Sequence, residues 1–249
     1  MRRKIGKGLA LALLFLAGAL SALPASWLSW PVARLSDRHW DVSEAKGTLW
    51  NGSAQLVYLG PSGEVQTMSP LAWQWQPRAL LSGLLAWHVD SAGQPGLVQL
   101  GFGKQEVRGL AVSLPVAALA NLSKTWQAAR LGGELQLNIP QLARQGQTIS
   151  GNAQVLWRGA STPLTTALPF GSYQLDLSGT PQGLSLSLST LEGPLMLNGQ
   201  GSWPANGAFN MAGTADSPPD KYDALKPLML MLGQPSGATS VSWQSKTGM

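Results

Sequence analysis

Apolar and polar residues change places one for one along most of this chain, and that period excludes an all-helical fold. Leu184, Leu186 and Leu188 alternate with Ser185, Ser187 and Ser189. Tyr173, Leu175 and Leu177 alternate with Gln174, Asp176 and Ser178, and Leu135, Leu137 and Ile139 alternate with Gln136 and Asn138. A period of two puts every apolar side chain on one face of a strand, whereas a helix needs spacings of three and four. Shorter runs at 54–59, 73–76, 85–89, 98–102, 105–112, 154–158, 194–197, 208–212 and 240–244 read the same way. Between the runs stand Gly60-Pro61-Ser62-Gly63, Gly93-Gln94-Pro95-Gly96, Gly179-Thr180-Pro181-Gln182-Gly183 and Pro204-Ala205-Asn206-Gly207. Gly and Asn supply the positive φ, and Pro the preset φ, of tight turns. Spacers this short join antiparallel neighbours, because parallel strands need long crossovers.

Three short helices are expected within this β body. One spans 77–81, with Pro77 in the first turn. A second spans 114–122, with Ser113 as N-cap and Pro115 behind it. The third spans 222–232, flanked by Asp220 and Asp223 and ended by Gly233, with Pro227 interrupting its pattern. The order strand, helix, Gly, strand occurs twice, which suggests a two-part repeat over 42–122 and 132–249.

The chain of 249 residues contains no Cys and only two His, His39 and His88. Disulfides, thiolate metal sites and cysteine nucleophiles are therefore excluded. The net charge of +5 is misleading, because Arg2, Arg3, Lys4 and Lys7 carry most of it. The remaining 13 basic residues face 12 acidic ones with no basic cluster after Arg38. A nucleic-acid partner needs such a cluster to neutralise phosphates, so none is expected.

No charged residue occurs from Gly8 to Ala33. A spanning helix needs about 20 apolar residues, and 9–30 supplies them. The basic tip at 1–8 predicts a cytoplasmic N-terminus, and Trp27 and Trp30 fall where an interfacial aromatic belt sits. Ala19-Leu20-Ser21 is a small-x-small triplet that would suit signal-peptide cleavage. The apolar run continues beyond it to Trp30, which favours a retained anchor. Either way the body, 31–249, is expected outside the cytoplasm.

Residues suited to chemistry are scattered. Asp37, Asp41 and Glu44 cluster near His39 in what reads as a solvated linker after the anchor, without a facing partner. Asp216, Asp220 and Asp223 lack the alternating ligand set of a calcium loop, and helix capping accounts for them. Gly101-Phe102-Gly103-Lys104 has the wrong spacing for a phosphate loop, and no Ser stands in a Gly-x-Ser-x-Gly elbow. His88, between Trp87 and Val89, reads as solvent-facing or structural. No catalytic, metal or cofactor residue is assigned. The tryptophans at 73, 75, 157, 203 and 243 are expected either to fill the core of a sandwich or to line an apolar groove.

One short segment stands out. Gly47-Thr48-Leu49-Trp50-Asn51-Gly52 places glycines around an apolar pair and ends in a strong turn former. It reads as a corner where the first strand enters the sheet, with an exposed Trp50 anchoring a partner as the alternative. This hexapeptide resembles the Gly-Thr-Leu-Trp-x-Gly signature of type II secretion system protein N. The stretch from Leu71 through Trp73-Gln74-Trp75-Gln76-Pro77 to Gly83 is similar to that family's continuation. Leu225 to Gly233, followed by Val241-Ser242-Trp243, is similar to its closing segment.

The resemblance implies a single-pass inner-membrane accessory component of the machinery that exports folded proteins in Gram-negative bacteria. It also implies kinship with AsmA-like periplasmic β-proteins, which include lipid handlers, and it implies no catalytic residue and no cofactor. The combined expectation is a transmembrane helix followed by a periplasmic, mainly β domain, an elongated, curled antiparallel sheet with two or three short helices, that binds other secretion subunits. The alternative is a lipid or amphiphile carrier with an apolar groove.

Overall fold

The computed structural model describes residues 18, 21–60, 63, 65–91, 93–122 and 128–246. Its centre is one open sheet of 14 strands, each hydrogen-bonded to its sequence neighbour except at the last step, where β14 lies between β12 and β13. The strands are β1 Trp40–Gly47, β2 Asn51–Leu59, β3 Val65–Trp75, β4 Leu84–Ser91, β5 Gln94–Gly101, β6 Lys104–Pro115 and β7 Gly132–Gln145. They continue as β8 Thr148–Ser161, β9 Gly171–Thr180, β10 Gly183–Glu192, β11 Met196–Pro204, β12 Asn210–Asp216, β13 Gln234–Pro235 and β14 Ser240–Lys246. All paired neighbours are antiparallel, as the short spacers require. The sheet runs unbroken through the join between the two suggested repeats, because β6 pairs with β7 from Lys104 to Pro115.

Register puts the apolar residues of neighbouring strands on one face. Trp73 lies opposite Val89, Trp75 opposite Trp87, and Trp87 opposite Val98. Leu135 meets Leu114 and Trp157, and Leu175 meets Val155 and Leu188. Bulges at Ser43/Lys46, Gln55/Val57 and Asn138/Gln141 bend the strands, and an extra residue per bulge increases local twist. The sheet curls on itself: the hydroxyl of Tyr58 in β2 donates to the carbonyl of Ala117, 59 residues away, at 2.8 Å. Ala117 belongs to a 3-10 helix, Val116–Leu122, after β6. Trp40, Leu56, Leu71, Val112 and Leu114 consequently line one cavity of about 90 Å³.

The main core lies at the other end of the sheet. An eleven-residue helix, which we call α2 (Tyr222–Leu232), buries Leu225, Leu228 and Met229, the i, i+3, i+4 stripe of an amphipathic helix. They pack with Ala160, Phe170, Tyr173, Leu195, Ala215 and Val241. Pro227 does not split α2; it removes one N–H from the second turn, and tertiary packing holds the rest. Thr165 donates to the Ala224 carbonyl at 2.7 Å, tying the β8–β9 connection to the helix. Trp157, Phe170 and Tyr173 stack with centroids 5.6 to 6.1 Å apart.

Several sequence expectations change. Trp40–Gly47 is a strand, not a linker, so Asp41 and Glu44 belong to β1. The helix expected at 114 begins at Val116, and Ser113 is a β6 residue whose hydroxyl contacts Glu134 rather than a cap. Asp220 does not cap α2; the N-cap position is Lys221, with no side-chain cap bond. Asp216 instead accepts a 2.5 Å hydrogen bond from Ser240 across β12 and β14. The single curled sheet is as expected, but the tryptophans do not fill a sandwich core, since no described tryptophan is fully buried.

At the N-terminus, Arg2, Arg3, Lys4, Lys7 and residues 9–17, 19 and 20 of the expected anchor lie outside the described residues. No helix among the described residues is long and apolar enough to cross a membrane. From Pro24 onward the chain forms a strap on the sheet: a 3-10 turn, Ala25–Leu28, leads into helix α1, Ser29–Leu35, beside β1.

Candidate interaction site: the signature corner and the apolar face

Gly47 to Gly52 forms the turn between β1 and β2, and the residue types explain its shape. Gly47 has φ +82°, and a Cβ there would stand 2.4 Å from the Asn51 carbonyl oxygen. A Cβ on Gly52 would meet the Lys46 and Thr48 carbonyls at 2.6 and 2.8 Å and the Trp73 ring at 2.8 Å. Only glycine fits either position. The Thr48 N–H donates to the Asn51 carbonyl at 2.8 Å, and the Thr48 hydroxyl accepts from the Asn51 N–H at 3.1 Å.

Two long-range partners complete the corner. The Trp73 indole N–H donates to the carbonyls of Thr48 and Leu49, at 3.2 and 3.1 Å. The Trp75 backbone N–H lies 2.8 Å from the Trp50 carbonyl and 2.9 Å from Asn51 Oδ1, while the Trp50 and Trp75 rings sit 5.0 Å apart. Trp50 is half-buried by this contact. On its other side the corner holds the strap. The Leu49 N–H donates to the Leu23 carbonyl at 2.9 Å, Pro24 bridges to Thr48, and Ala25 is buried. Sequence reading identified the turn but not this grip on residues 23–25, which depends on contacts about 25 residues apart. The missed strand β1 did carry a signal: Trp40 and Val42 alternate with Asp41 and Ser43.

The apolar face differs along its length. Around α2 it is core. Over β2–β6 the tryptophans 73, 75 and 87 and Val98 remain half-buried, with no helix laid across them among the described residues. The indole N–H groups of Trp75 and Trp243 are shielded from solvent and have no hydrogen-bond partner, whereas that of Trp157 donates to the Gly132 carbonyl at 3.0 Å. Trp27 and Trp30 on the strap are 62% and 72% exposed.

On the opposite, polar face, Glu106 of β6 is 3% exposed yet charged. Arg108 and Gln141 hydrogen-bond it, and Lys104 lies 3.7 Å away. The Arg108 hydrogen bond, outweighing the cost of burial, holds its carboxyl below the usual range. In the core, burial raises the Tyr173 hydroxyl well above the ordinary tyrosine value, and that hydroxyl donates to the Leu195 carbonyl at 3.0 Å. Among the described residues no group of three His, Cys, Asp or Glu could hold a metal ion. His88 faces solvent; near the start of β1, Asp41 lines an open cavity of about 450 Å³ with Trp30, Arg34, Arg38, Trp40 and Leu59, while Asp37 and His39 do not line it.

An open β-meander with a short N-terminal strap clasped at a glycine corner presents edges and a face. The chain belongs to the type II secretion system (T2SS) protein N family, whose model matches residues 38–244, from the foot of β1 to near the end of β14. No curated protein and no solved structure matches it.

Proposed function

We propose that this component of type II secretion is an accessory subunit, held at the inner membrane by the N-terminal apolar stretch within residues 9–30, whose periplasmic sheet binds other secretion subunits. One observation carries the reading: the sheet does not close, and its last full strand keeps an unpaired outer edge. β13 covers β14 only at Val241 and Ser242, so among the described residues Trp243 to Lys246 pair with β12 alone. An open edge of this kind is a ready template for an added strand. The corner at Gly47 to Gly52 then serves as the clasp between the membrane segment and the sheet rather than as the partner contact.

Photo-crosslinking in cells from Gln244 and Ser245, both exposed, tests this. Capture of an inner-membrane secretion subunit supports it. No capture, with export unchanged when the gene is deleted, sinks it.

A second reading rests on the half-buried tryptophan face of β2–β6, which suits the acyl chain of an amphiphile. Mass spectrometry of the gently extracted protein separates the two. Stoichiometric phospholipid favours the carrier, and its absence leaves the face to a protein partner.

A further inference from the structure

The two ends of the sheet are chemically different. Register collects the β1–β2 corner, the 3-10 turn Pro77–Ser82, the β5–β6 turn at Gly101–Lys104 and the β7–β8 turn at Gln145–Thr148 at one end. Two of these turns carry large apolar side chains at their tips: Leu81 is 91% exposed and Phe102 is fully exposed, with Leu80 half-exposed beside Leu81. No acidic residue occurs in any of the four turns, while Arg78 and Lys104 lie in them and Lys46 and Arg144 adjoin them. Nearby Glu106 is buried under Arg108 and Lys104. At the opposite end acidic side chains do occur, Asp37, Asp90, Glu192, Asp216 and Asp220, beside cations that include Arg34, Arg38, Arg130 and the Asp220 partner Lys221.

The chain enters the folded body at this same basic end. Leu23 and Pro24 are fixed to Leu49 and Thr48 there, and the residues immediately upstream are the uncharged apolar stretch. The exposed Trp27 follows within one turn.

We infer that this end of the sheet rests on an anionic phospholipid surface, with Leu81 and Phe102 inserted at the acyl boundary and Arg78, Lys104, Arg144 and Lys46 over the headgroups. Each part has its physical reason. Single exposed apolar residues are ordinary, but here two reach out from adjacent turns beside the point where an apolar segment leaves the sheet. Apolar tips flanked by cations and free of carboxylates match the layered chemistry of an anionic interface. A short tether also keeps these turns close to the bilayer, because only the clasped residues separate the apolar stretch from the corner. The inference rests on the anchor reading above, and it sets the standing orientation of the sheet: the end of mixed charge, which carries the carboxylates, points away from the membrane.

The absence of Cys makes the test direct. Leu81→Cys, Phe102→Cys and, at the opposite end, Leu168→Cys each give the full chain one site for an environment-sensitive fluorophore. The labelled chains are reconstituted into vesicles of phosphatidylethanolamine and phosphatidylglycerol containing a lipid with a nitroxide near the glycerol end of its acyl chain. Quenching several-fold stronger at 81 and 102 than at 168, with blue-shifted emission at the first two, is the expected result. Equal quenching at all three sites overturns the proposal. Flotation separates the two readings. A chain that floats with the vesicles while 81 and 102 stay unquenched removes the contact and leaves the anchor. A chain that fails to float removes both.

Discussion

Strands β8 to β14 and strands β1 to β6 carry the same alternating apolar face, yet the first set turns it into a core and the second leaves it half-open. Around β8–β14 the buried residues are large: Phe170, Tyr173, Leu195, Leu225, Met229 and Val241. Over β1–β6 the buried apolar side chains on the strands are Ala54, Tyr58 and Ala86, while the tryptophans stay partly exposed. The difference comes from the connections. A 23-residue link between β12 and β14 is long enough to fold α2 and lay it on the sheet, whereas the connections from β2 to β6 are shorter and, among the described residues, lay no helix over the tryptophans. Alternation builds a face; a long connection decides whether the face is finished from within.

The comparison breaks most visibly at α2. Leu225→Ala or Met229→Ala deletes side chains with no exposure, and each should cost about 3 kcal/mol in guanidinium unfolding. A loss near 1 kcal/mol would mean that this end is no better packed than the other. Gly47→Ala should come next, at about 2 kcal/mol, because a side chain at φ +82° is strained and collides with the Asn51 carbonyl. Its readout is local as well: protease cleavage between residues 23 and 40 should accelerate more than cleavage in α2.

The matched deletion in the half-open region, Leu71→Ala, should cost only about 1.5 kcal/mol, since that side chain gives up less area. Equality with Leu225→Ala would erase the contrast drawn here. Tyr173→Phe leaves the buried Leu195 carbonyl without its 3.0 Å donor and should cost about 1 kcal/mol. Glu106→Gln should be smallest at neutral pH, somewhat under 1 kcal/mol, because Arg108 and Lys104 are half in water. Its pH dependence has a definite sign. The folded-state value is depressed, so the carboxylate's contribution is full above the ordinary carboxyl range and disappears as pH falls through the folded value. Wild type and Glu106→Gln should therefore converge in acid, which unfolding curves at neutral and acidic pH would reveal.

Much of this architecture was legible beforehand. Helix α2 occupies the 222–232 window read from its flanking Asp220 and Asp223 and terminal Gly233, and all nine shorter runs fall in or against observed strands. Boundaries moved where neighbours lengthened a strand: β3 extends back to Val65 because β2 pairs with it there, and β6 runs on through Pro115 because Glu134 lies opposite. The signature was legible as a corner from its glycines. Its partners were not, since Leu23, Trp73 and Trp75 carry no local mark of meeting Thr48, Leu49 and Trp50.

The sequence by itself determined the period, the turns and hence the order of the meander, because each is set by residues within a few positions of one another. It also placed the basic and apolar tips in their turns. Only the tertiary structure decided which length of the apolar face is covered, where the strap is clasped and which turns share an end with the entering chain. Those outcomes rest on contacts such as Tyr58 to Ala117 and Thr165 to Ala224, each spanning 59 residues, and closing loops of that length is governed by the packing of the whole sheet rather than by any local preference.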